Sequence, residues 1–123
     1  MNLTVPSLLI TDDDRDFRET LQSIFEPRGF RTLLAEDGDV AVEMVGKEQI
    51  HVMLVDMHMP RLTGLDVLRF VHERAVPIPS ILMSAALDAQ IEAEARQAAA
   101  FSVVSKPFRL QQITTLVSQA MRQ

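Results

Sequence analysis

Five short apolar runs recur along the chain, and a longer stretch with helical periodicity follows each of them. The runs are SLLIT (7–11), RTLLA (31–35), IHVMLV (50–55), SILMS (80–84) and FSVVS (101–105). They are dense in Val, Ile and Leu rather than alternating with polar residues, which is the pattern of strands covered on both faces. Strict alternation of strands and helices predicts an α/β fold: a doubly wound parallel sheet, right-handed crossovers, and helices on both faces.

The helical stretches differ in quality. In the first, Phe17, Leu21, Ile24 and Phe25 share one face, and Pro27 and Gly29 stop it. The second runs from Asp39 to Lys47 with Ala41, Met44 and Val45 inward. The third runs from Leu65 to Arg74 with Leu65, Leu68 and Val71 inward, closed by AVPIP. The fourth, Asp88 to Ala99, is alanine-rich and has Ile91 as its one large apolar anchor, a thin packing face despite good propensity. The last, Arg109 to Met121, turns Leu110, Ile113, Val117 and Ala120 inward.

With 123 residues, the chain is expected to form one domain spanning 1–123. No apolar run is long enough to span a bilayer, and Met1–Pro6 has no signal-peptide pattern. Cysteine is absent, which excludes disulfides and thiolate metal sites and suits a cytoplasmic protein. The net charge is −5 with no basic stripe, so direct nucleic-acid contact is not expected, whereas a metal ion or a basic partner is.

In open parallel sheets, sites form at the carboxyl ends of strands. Those ends carry Asp12, Asp13 and Asp14, then Asp56, then Ser84, then Lys106. If the first and third strands are neighbours, Asp12, Asp13 and Asp56 converge. Carboxylates at close quarters raise one another's pKa unless a cation sits among them. All-oxygen ligands point to a hard ion, and magnesium needs only one or two carboxylates from protein. Lys106 adds a positive point charge. A cation, a lysine and a hydroxyl around one carboxylate form a pocket for a phosphoryl group, with the aspartate as nucleophile.

ITDDD, LVDMHMPRLTG (54–64), LMSA (82–85) and VSKPF (104–108) together resemble the receiver domain of bacterial response regulators. The match runs from Leu8 to the last helix. The resemblance implies a flavodoxin-like five-stranded sheet in the order 2-1-3-4-5. It implies Asp56 as phosphoacceptor, at the head of the D-x-x-M-P-x-x-x-G stretch that ends on Gly64. It further implies Asp12 and Asp13 as the magnesium-holding pair, with the backbone carbonyl of His58 as a further ligand. Ser84 would supply the hydroxyl that reaches the phosphoryl group and Lys106 its charge partner, with a cis bond between Lys106 and Pro107. The partners implied are a sensor histidine kinase or phosphotransfer protein and an output domain or partner protein. The state implied is a monomer or a phosphorylation-linked dimer, and the output face is that of the fourth helix, fifth strand and fifth helix. The role is regulatory, not that of an enzyme.

Two positions depart from the family pattern. Val103 stands where the family often has a Tyr or Phe switch, and Phe101 is expected on the wrong face of the strand to replace it. AAAF stands where a Gly-Ala turn is common. Ala86 and His58 flank the water path and are read as tuning acyl-phosphate lifetime. Two alternatives are an aspartyl-phosphate phosphatase, disfavoured by His58 in the general-acid place, and a receiver-like module that works without phosphate.

Overall fold

The computed structural model describes residues 5–74 and 77–122. Its elements are β1 (Ser7–Thr11), α1 (Arg15–Phe25), a 3₁₀ turn (Glu26–Arg28), β2 (Arg31–Ala35), α2 (Gly38–Lys47), β3 (Val52–Asp56), α3 (Gly64–Glu73), β4 (Ser80–Ser84), α4 (Ala89–Gln97), β5 (Ser102–Ser105) and α5 (Leu110–Met121). The five strands form one parallel sheet in the order β2-β1-β3-β4-β5. The expected fold class is therefore the observed one. Ala75 and Val76 of the expected AVPIP terminator, and the first four residues of Met1–Pro6, lie outside the described residues.

The sheet separates two apolar cores by residue parity. Leu9, Met53, Val55 and Leu82 face α2, α3 and α4, while Leu8, Ile10, Val52, Leu54, Ile81, Met83 and Val104 face α1 and α5. Strands β1, β3 and β4 are buried at every position, which explains their unbroken apolar sequence. Met53 and Met83 fill this interior and Met44 lies at its margin, as expected of adaptable side chains.

Helix starts follow cap chemistry. The side chains of Asp14, Asp37 and Asp88 accept backbone N–H bonds at the first turns of α1, α2 and α4. Thr63 and Asp66 form a reciprocal capping box on α3. Leu110 departs from expectation: it is 50% exposed, because neither core reaches the first residue of α5. Helix α4 buries only Ala95 within its span and is tied to α3 by Arg69, whose Nη2 lies 3.2 Å from Glu94 Oε2.

The turn after α4 explains the AAAF departure. Ala99 takes φ 62°, the left-handed conformation that glycine adopts without strain. Its N–H donates to Arg96 O at 3.0 Å, and that of Ala100 to Ala95 O at 2.9 Å. Ala99→Gly is therefore expected to raise stability by about 0.5–1 kcal/mol, the relief of strain being partly offset by unfolded-state entropy. Urea unfolding followed by circular dichroism checks this, and an unchanged midpoint would count against it.

Candidate functional site

The β2-β1-β3 order puts the carboxyl ends of β1 and β3 side by side at the point where strand order reverses. At the end of β1, the Asp12 N–H continues the ladder to Ala35 O at 3.1 Å. Asp12 Oδ1 then accepts the Asp14 N–H at 2.9 Å, turning the chain into α1, and Arg18 Nη1 donates to Asp12 O at 2.7 Å. At the end of β3, the Met57 N–H donates to Met83 O at 2.7 Å, and the loop folds back so that the Gly64 N–H reaches Met57 O at 3.0 Å. A Cβ at position 64 would stand 2.5 Å from Asp56 O, so only glycine lets α3 start this close to the end of β3. At the end of β5, the Lys106 N–H donates to Ser84 O at 2.8 Å, and the Lys106–Pro107 bond is cis, as expected.

These backbones bring the charged groups together. Lys106 Nζ lies 2.6 Å from Asp12 Oδ2 and 3.0 Å from Asp56 Oδ1. Carboxylate oxygens of Asp12, Asp13 and Asp56 lie within 4.8 Å of one another. Asp12 is 1% exposed and Asp56 5%, whereas Asp13 is open to solvent. Among the described residues, the Asp13 carboxylate has no hydrogen-bond or ion-pair partner.

Burial holds the Asp56 carboxyl above the usual carboxylate range. The hydrogen bond from Lys106 pulls it down, the charge of Asp12 pushes it up again, and the charges of Lys106 and His58 do not offset the sum. For Lys106, burial works against the charge, but the hydrogen bonds to Asp12 and Asp56 together with the charges of those carboxylates outweigh it and raise the ammonium above its ordinary value. One ammonium thus serves a group of three carboxylates, two of them directly, which leaves the site with surplus negative charge. An all-oxygen donor set with surplus negative charge and an unengaged Asp13 fits a hard divalent cation.

Ser84 is fully buried, and its Oγ is engaged by its own surroundings: His58 Nε2 at 3.1 Å and the Ala86 N–H at 3.1 Å. The hydroxyl is thus held by His58 and Ala86, and no hydrogen bond joins it to Asp56. His58 and Ala86 are both exposed. Val103 is half-buried against the α2–α3–α4 core. Phe101 packs on the opposite core, as expected, but not through strand parity, since it stands two residues from Val103 and would share its face. It lies just before β5, where the alternation does not hold. Met57 and Met59 pack into the α2–α3–α4 core. His51 is structural, accepting the Ser7 N–H at 2.9 Å, and His72 is exposed.

Besides the His58–Ser84 bond, two contacts were not legible in the sequence. Arg61, at φ 66°, clamps the β3–α3 loop to the start of α2, with Nη2 2.8 Å from Asp37 Oδ2 and Nε 2.9 Å from Asp39 Oδ2. The Phe17 ring, which helical spacing assigns to the core face of α1, lies 4.1 Å from Lys106 Nζ. A lysine near an aromatic in space leaves no local signal when the two are far apart in sequence.

The family described as "Response regulator receiver domain" matches residues 8–118. The chain belongs to the response regulator receiver domain family. The receiver domain is 31% identical to the regulatory protein AtoC of Escherichia coli, over 94% of this chain and 25% of that protein. It is 30% identical to the response regulator MprA of Mycobacterium leprae, over 94% of this chain and 50% of that protein. It thus spans a quarter to a half of the length of these curated relatives. Among solved structures, the receiver domain of the Francisella response regulator 1452 superimposes with a TM-score of 0.89 at 25% identity, over 95% of this chain and 97% of that one. A CheY-like receiver from Methanospirillum hungatei reaches 0.93 at 18% identity, over 97% and 95%, a likeness of fold. No helix among the described residues is long and apolar enough to cross a membrane.

Lys106→Met leaves Asp12 and Asp56 buried without their ammonium. In metal-free buffer near neutral pH it is expected to cost about 2–3 kcal/mol, and less in an Asp56→Asn background. Because the folded-state pKa of Lys106 lies above its ordinary 10.5, its stabilisation is complete below that pH and is lost as pH rises through the folded value. The gap between wild type and variant should therefore narrow in strong alkali. Urea unfolding at neutral and alkaline pH measures both effects.

Proposed function

We propose that this receiver domain takes a phosphoryl group onto Asp56 from the phosphohistidine of a sensor histidine kinase or phosphotransfer protein. The observation that supports this most is the convergence of Asp12, Asp13 and Asp56 within 4.8 Å, with Lys106 bridging two of them. A carboxylate oxygen of Asp56 attacks phosphorus, the P–N bond of the donor breaks, and the imidazole leaves with the electron pair. The product on the receiver is an acyl phosphate.

Each neighbour has a role in this reading. Asp12, Asp13, Asp56 and the His58 carbonyl would hold Mg2+. When bound, Mg2+ neutralises charge on the phosphoryl oxygens and favours a nucleophilic, ionised Asp56. Lys106 keeps Asp56 ionised and then follows the negative charge outward as it moves from the carboxylate to the phosphoryl oxygens. Ser84 exchanges its bond with His58 for one to a phosphoryl oxygen. That exchange couples the site to the β4–α4 loop, where Ala86 lies, and so biases the α4–β5–α5 surface by a population shift. His58 and Ala86, the present partners of Ser84, set how readily it moves and how long the acyl phosphate lasts. Val103 replaces the aromatic switch, so the shift is carried by the loop and by α4.

On this reading residues 1–123 form a single cytoplasmic receiver, a regulatory phosphoacceptor rather than a turnover enzyme. Its signal passes to an output domain or partner protein, as a monomer or a phosphorylation-linked dimer, without direct contact of the receiver with nucleic acid. The test is intact-mass spectrometry after incubation with phosphoramidate. Wild type with Mg2+ should gain one phosphoryl group, wild type with chelator should gain far less, and Asp56→Asn should gain none. Equal labelling of Asp56→Asn would contradict the assignment.

A further inference from the structure

We infer that Phe17 is a positioning residue for Lys106, its ring forming a π-face seat that keeps the ammonium aimed between Asp12 and Asp56. The inference rests on Lys106 being the charge partner of Asp56 in the reaction proposed above.

A lysine ammonium has three N–H donors and no other polar contact to offer. Here two directions are taken by Asp12 Oδ2 at 2.6 Å and Asp56 Oδ1 at 3.0 Å. A further side is covered by Phe17, whose ring centroid lies 4.1 Å from Nζ, well inside the roughly 6 Å reach of a cation–π contact. The side chain of Lys106 is only 19% exposed. In a partly desolvated place of this kind, the negative face of an aromatic ring attracts a cation more strongly than it does in open water.

The ring itself is fixed from two directions. Phe17 stands in the first turn of α1, where its N–H donates to the capping Asp14 Oδ1 at 3.3 Å. Phe108, two residues beyond Lys106, meets it edge-on with centroids 5.7 Å apart and an interplanar angle of 69°. The segment that carries the lysine is therefore docked on the same ring that receives its ammonium. A long lysine side chain loses rotamer freedom when held in one place, and the seat offsets that loss. Unlike the hydrogen bond to Asp12, contact with a ring face is weakly directional. Lys106 can swing from the Asp56 carboxylate toward a phosphoryl oxygen and remain over the ring.

A leucine at position 17 would fill similar apolar volume without a π face, whereas a tyrosine keeps the face. The experiment compares wild type, Phe17→Leu and Phe17→Tyr, each with and without Lys106→Met. The first readout is proton–carbon NMR of Lys106 without metal or phosphodonor. Its ε-methylene protons should be shifted upfield by the ring current in wild type and Phe17→Tyr, and the shift should be lost in Phe17→Leu. The second is the phosphorylation rate with phosphoramidate at saturating Mg2+. Phe17→Leu should slow it by about three- to tenfold, and Phe17→Tyr by less than about twofold. In the Lys106→Met background, Phe17→Leu should add no further loss.

An ε-methylene group without an upfield shift in wild type would overturn the seat, whether or not Phe17→Leu folds. So would a Phe17→Leu defect of the same size with and without Lys106, since Phe17 would then act through the fold alone. If wild type took no phosphoryl group at all, the Asp56 assignment would fail, and the NMR shift would still decide whether the seat exists.

Discussion

The ammonium of Lys106 stands between two nearly buried carboxylates, 2.6 Å from Asp12 and 3.0 Å from Asp56, and the arrangement of the site follows from that contact. Without it, Asp12 and Asp56 would face each other in a place poor in solvent. With it, the repulsion is reduced but not removed, because Asp13 adds a third carboxylate and Asp56 still holds its proton more tightly than usual. The site is an electrostatic imbalance kept by the fold. Its surplus of negative charge suits a hard cation.

The sheet bears the cost of this arrangement. Every strand position flanking the site in β1, β3 and β4 is buried, so the strand ends are fixed by two apolar cores. Gly64 lets the β3–α3 loop press on the Asp56 backbone, and the Arg61 fork ties the same loop to α2. The β4–α4 side differs. Ser84 is held by an exposed histidine and a loop amide, and α4 buries little of itself. The acids are thus held by fully buried strands, whereas the β4–α4 side has a thin packing face.

Much of this could be read from the residues. Buried strands need dense apolar runs, so β1, β3 and β4 announced themselves. The convergence of Asp12, Asp13 and Asp56 followed from their places at the ends of parallel strands only once the family resemblance made β1 and β3 neighbours. What stayed hidden depends on contacts between segments distant in the chain. Helical spacing put Leu110 on the inner face of α5 but could not tell that neither core extends that far. The partner of Ser84 is His58, 26 residues away, and was set by the path of a loop. Phe17 read as an ordinary core residue of α1 because its second role depends on a lysine brought in by β5. Phe101 lay on the expected side, though only because β5 begins one residue later.

The most direct measurement is the titration of the Asp56 carboxyl carbon by NMR, with and without Mg2+. In metal-free protein the midpoint should lie above the ordinary value of 3.8, because burial and Asp12 outweigh Lys106. Saturating Mg2+ should lower it, since the cation binds the ionised form. A midpoint at or below the ordinary value without metal, or one indifferent to Mg2+, would contradict the idea of a frustrated acidic site relieved by a hard cation.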